Sequence, residues 1–81
     1  MVINHYFETK SFTLKTYVKT AWHRESTPVN WDWIAILRLY QWLNNSIEGK
    51  WADPDSYEFE SWYHVYFSLE SDAILYRLTW L

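Results

Sequence analysis

Positions 33, 36, 37, 40, 43 and 47 hold Trp, Ile, Leu, Tyr, Leu and Ile. Recurrence at three and four residues puts all six on one side of an α-helix. Thr27-Pro28 supplies a capping hydroxyl followed by proline at the first helical position, and Asn30 with Asp32 offers a second start. Asn44, Asn45 and Gly49 are suitable terminators. The spacing therefore predicts a helix from Pro28 or Trp31 to Ile47. That helix is more apolar than one buried face requires, because Trp31, Ile34, Ala35, Leu39 and Trp42 lie off the stripe. Its polar strip narrows to Arg38, Gln41 and Asn45, with Glu48 at the end. A helix apolar nearly all round is covered on more than one side, and 81 residues leave little protein to cover it.

A chain of this size buries only about 60–65% of its unfolded surface. There is no cysteine, which removes disulfides and thiolate metal sites and leaves the redox compartment open. Bulk comes instead from seven Trp, seven Tyr and four Phe, each able to bury roughly 150–250 Å². With one Gly and two Pro, the chain reads as ordered elements without a disordered tail.

Strand signals flank the helix. Ala52-Asp53-Pro54-Asp55-Ser56 reads as a turn. From Tyr57 to Leu69 the residues alternate, with Phe59, Val65 and Phe67 pointing one way and Glu58, Glu60, Trp62, His64 and Tyr66 the other. Glu70-Ser71-Asp72 reads as a hairpin turn, followed by a closing strand over 73–81. Residues 11–20 alternate as well, with Val2 to Phe7 as their partner, although 11–23 also admits a helix. The expected architecture is a single α+β domain, 1–81, with one central helix packed on an antiparallel sheet in ββαββ order. Its expected core is Trp33, Ile36, Leu37, Tyr40, Leu43, Phe59, Val65 and Phe67.

Catalytic patterns are sparse. His5, His23 and His64 have no metal-ligand spacing. Asp53-Pro54-Asp55 lacks the Gly and Glu of a calcium loop and reads as a turn. Glu58 and Glu60 share a strand face about 6.5 Å apart, a spacing common to many non-catalytic pairs. The lone Gly49 excludes a phosphate-cradling loop, and no serine has a nucleophile-elbow context. The expectation is a non-enzymatic protein with no cofactor and no metal.

The aromatic surplus points to binding. If one face of 57–69 packs on the helix, Trp62, His64 and Tyr66 emerge on the other, joined by Lys15, Tyr17 and Lys19 if 11–20 lies in the same sheet. Nothing in a two-layer domain covers that face, unless the loop 50–56 folds over it with Trp51 as the plug. Exposed aromatic patches mark interaction surfaces. The expected contact residues are these six with Glu58, Glu60 and, on the apolar helix, Trp42.

Charge adds a dipole: residues 1–24 carry four bases and one acid, and residues 25–81 three bases and nine acids. The expectation is a small protein-binding module of inhibitor, adaptor or immunity type, with another protein or a second copy (a homodimer) as partner. The alternative is a single-stranded nucleic-acid-binding domain that stacks bases on sheet aromatics, disfavoured by overall acidity because phosphate binding needs positive charge. With no signal peptide and no apolar span, the chain is expected to be soluble, cytoplasmic and without membrane contact.

Overall fold

The computed structural model describes residues 5–28, 33–54 and 62–80. Its elements run α1 (Phe12–Ala21), β1 (His23–Pro28), α2 (Trp33–Ser46), β2 (Trp51–Ala52), β3 (Trp62–Phe67) and α3 (Glu70–Trp80). The fold is α+β with an antiparallel three-stranded sheet, but the order is αβαββα and not ββαββ.

The expected strand over 11–20 is a helix. Ser11 caps it: its hydroxyl accepts the Leu14 N–H at 3.1 Å from an extended backbone, satisfying one of the orphan donors of a first turn. Thr16 and Thr20 donate their hydroxyls to the carbonyls of Phe12 and Thr16, each at 2.9 Å, so the β-branched residues that suggested a strand are accommodated by bonds back into the helix. Lys19 sits in the last turn, where a cation complements the helix dipole.

The expected hairpin turn 70–72 and strand 73–81 form α3. Glu70 and Asp72 occupy its first turn and Arg77 its last, the charge order a helix favours. Asp72 does not reverse the chain; its carboxylate accepts the Glu48 N–H at 3.1 Å and the Gly49 N–H at 2.8 Å. It thereby ties the start of α3 to the exit of α2. Beside it the Lys50 N–H donates to the Ser68 hydroxyl at 2.8 Å.

β3 is the central strand. It pairs antiparallel with β1 from His23↔Phe67 to Pro28↔Trp62, and with β2 at Trp51↔Phe67 and Ala52↔Tyr66. Beyond β2, Tyr6 bridges Trp51 in parallel, with Phe7 N–H to Trp51 O at 2.8 Å and Trp51 N–H to His5 O at 3.1 Å. This bridge is what the described part of the expected strand 2–7 becomes; it joins the β2 edge and not residues 11–20.

Alternation along β3 sorts its side chains as expected. Tyr63, Val65 and Phe67 enter the main core with Leu39, Leu43, Ile47, Trp51, Ala73 and Tyr76, flanked by Tyr6, Tyr40, Trp42 and Trp80. Along α2 and one residue past its end the buried row is Leu39, Leu43 and Ile47, four residues apart. Leu37, expected in the core, is 48% exposed, because this i, i+4, i+8 row turns it toward solvent. Ile36 is half-buried; Phe59 and the side chain of Trp33 lie outside the described residues.

At Tyr66 and Ala52 the opposite sheet face is covered, contrary to expectation. Val18 of α1 packs there with Ala52 and Tyr66, bordered by Phe7 and Trp22. α1 lies outside the sheet and reaches it through Val18. The second side of α2 is different: Ile34 and Leu37 remain exposed.

Candidate functional site

The residues expected to form one contact surface are distributed over separate parts of the fold. Lys15, Tyr17 and Lys19 are exposed on α1 and do not extend the sheet. Tyr66 is only 4% exposed, so the bare platform it was to share with them does not form: α1 covers it. His64 is half-buried, with Nδ1 2.6 Å from the Ser26 hydroxyl of its cross-strand partner. Trp42 is half-buried against the rings of Tyr76 and Trp80, at 6.0 and 6.2 Å between centroids. Glu58, Glu60 and the side chain of Trp62 lie outside the described residues.

A different constellation forms around Asp53, which directly follows β2. The Tyr6 hydroxyl donates to one carboxylate oxygen at 2.8 Å, and the Tyr63 hydroxyl donates to the other at 2.9 Å. The Tyr63 hydroxyl also lies 3.3 Å from that of Tyr40. Asp53 itself is 4% exposed, and among the described residues no Lys or Arg is paired with it. Taking a carboxylate out of water is costly unless hydrogen bonds and charge compensate it; here two phenols supply the hydrogen bonds.

Two recesses of about 240 Å³ each open beside this carboxylate. One is lined by Tyr6, Tyr40, Trp51 and Asp53. The other is lined by Tyr6, Glu8, Thr9, Lys10, Lys15, Asp53 and Pro54, so Tyr6 and Asp53 line both. In the first, the Trp51 ring is inclined at 59° to Tyr6 and 27° to Tyr40, with centroids 4.7 and 5.7 Å away. The Trp51 indole N–H is buried without an acceptor among the described residues. Sequence spacing marked Asp53 only as a turn residue. Its phenol partners are 47 and 10 positions away and on different elements, so no local pattern announces them.

On the other side of the core, β1 and α3 share a polar seam. Arg77 donates its Nε–H to both Glu25 carboxylate oxygens at 3.1 and 3.3 Å, and a terminal guanidinium N–H to the same group. This contact raises the Arg77 pKa further. At the preceding residue of α3, Tyr76 and Thr27 join hydroxyls at 3.1 Å. Burial pushes the Tyr76 phenol up to about 12, opposed by the Thr27 hydrogen bond and reinforced by the Glu25 charge.

The outer helix faces are apolar. Ile74, Leu75 and Leu78 are exposed on α3, Leu78 by 78%, opposite its buried residues Asp72, Ala73 and Tyr76. Phe12, Leu14 and Tyr17 are exposed on α1. None of the described helices is long and apolar enough to cross a membrane. In comparisons with protein-family models, curated proteins and solved structures, nothing matches this chain.

Proposed function

We propose that this chain is a small protein-binding module that acts by contact and not by catalysis, with a second copy of itself as its first candidate partner. The observation that carries this reading is the outer stripe of α3. Ile74 and Leu78 stand one turn apart with Leu75 between them, all exposed. They lie on a helix whose opposite side is already buried in the core. Contiguous apolar side chains left in water mark interaction surfaces more often than isolated ones do. Ile34 and Leu37 on α2 are exposed as well. The nucleic-acid alternative has less support, since it needs bases stacked on sheet aromatics and Tyr66 lies beneath α1.

The test is light scattering on size-exclusion fractions of the wild type and of an Ile74→Glu, Leu78→Glu double variant. The wild type is expected to dimerise and the double variant to weaken association at least tenfold, worth about 1.4 kcal/mol, with an unchanged melting temperature. A wild type that stays monomeric at high concentration, with an α3 surface that tolerates both glutamates in every binding assay, overturns the reading.

A further inference from the structure

We infer that the recess lined by Tyr6, Tyr40, Trp51 and Asp53 is a binding site for an alkylated ammonium head group. Three of its four lining residues are aromatic. Ring faces carry the negative end of a quadrupole and attract cations, most strongly when the cation is desolvated, as in the aromatic sites that hold quaternary ammonium groups. The fourth is a carboxylate, buried and without a cationic partner among the described residues. A cation in this recess would sit beside a carboxylate that no Lys or Arg of the described residues pairs with.

Other occupants fit less well. A hard divalent ion takes six or more oxygen ligands, whereas the recess offers one carboxylate whose two oxygens already accept phenol hydroxyls. Among the described residues no group of three or more His, Cys, Asp or Glu is placed to hold a metal. A bare ammonium is strongly hydrated and brings three N–H donors, and a guanidinium brings five; both require acceptors that Tyr6 and Tyr63 have partly taken. A quaternary ammonium has no N–H to satisfy and needs only apolar contact and negative potential. A neutral apolar ligand would use the rings but leave the carboxylate uncompensated. Size agrees: about 240 Å³ falls below the ~300–1,000 Å³ usual for whole drug-sized ligands, so the recess suits a head group. Lys10, already paired with Glu8 at 3.1 Å, and Lys15 line the adjoining recess and not this one.

The same chemistry is available from a free choline-like molecule or from a trimethylated lysine side chain on a protein. The site is independent of the α3 surface and stands or falls separately from the proposed dimer. The Trp51 indole N–H, buried and without an acceptor, is a natural reporter. Tetramethylammonium, choline and a trimethyl-lysine peptide are titrated into the full chain while that resonance is followed by NMR, with potassium chloride and the neutral choline isostere 3,3-dimethylbutan-1-ol as controls.

Tetramethylammonium and choline are expected to shift the resonance saturably, with the isostere at least tenfold weaker. Asp53→Asn is expected to lose at least tenfold in affinity. Should Asp53→Asn not fold, Tyr40→Leu, at a half-buried position, carries the same expectation. A peptide tenfold tighter than choline assigns the site to a modified side chain, and equal or weaker peptide binding assigns it to a free head group. An isostere as tight as choline, a shift reproduced by potassium chloride, or folded variants that bind like wild type overturns the inference.

Discussion

Tyr76 brings its hydroxyl into a fully buried position with Thr27 as its hydrogen-bond partner. Its folded pKa of about 12 lies above the ordinary 10.0, so between those values the native state keeps a proton that the unfolded chain has released. The stability this phenol contributes is therefore complete below pH 10 and is lost as the pH rises through the folded value. The loss across that window is on the order of 2–3 kcal/mol. Tyr76→Phe should cost about 1–3 kcal/mol at neutral pH by leaving the Thr27 hydroxyl unpaired. Because phenylalanine does not titrate, the gap between wild type and variant should narrow above pH 10. Urea denaturation at neutral and alkaline pH measures both effects; a gap independent of pH refutes the assignment. At this scale the sequence is readable where a side chain's role is set by its neighbours along the strand. Val65 and Phe67 are inside as alternation requires. Asp53 and Tyr63 are not readable, because their contact depends on how β2 and β3 come together.

Among the elements, α2 was visible in the sequence and its rotation was not. The six-residue stripe from Trp33 to Ile47 and the second set around Leu39 are both apolar, so periodicity finds a helix without choosing its buried side. Packing chooses Leu39, Leu43 and Ile47. Leu39→Ala should accordingly cost about 2–5 kcal/mol, while Leu37→Ala should stay within about 0.5 kcal/mol of wild type, as surface substitutions do; thermal and urea melts compare them directly. The sequences of α1 and α3 favour strands for a different reason. α1 buries only Val18, too little to print a helical stripe, and the apolar residues of 73–81 satisfy period two and helical spacing together. The joint between α2 and α3 gives a further expectation. A methyl group on Gly49 would sit 2.6 Å from the Ser68 hydroxyl and 2.8 Å from Leu69 Cγ. Replacing a loop glycine with alanine commonly stabilises by about 0.4–1 kcal/mol through the unfolded state. Here Gly49→Ala should instead destabilise by about 1–3 kcal/mol, the usual effect of overpacking, since Ser68 must leave the Lys50 amide it accepts. A melting temperature at or above wild type contradicts this.

Across the whole molecule, class was legible and topology was not: aromatic strands beside one strong helix imply α+β, but nothing local says which strand is central. That place belongs to β3, which holds β1 on one edge and β2 on the other. The residue pairing with Phe67 on the β1 side is His23, far earlier in the chain. A ribosome delivers the sequence in the opposite sense to the one the sheet needs. When α1 and β1 emerge, the strand that organises them has not been made, and Val18 and Trp22 have no sheet to rest on. Pairings so distant in sequence also carry a loop-closure cost before any contact repays it. The sheet therefore cannot close until β3 is available to pair with both β1 and β2. A chain stopped before residue 62 holds the segments of β1 and β2 without the one strand that pairs with both.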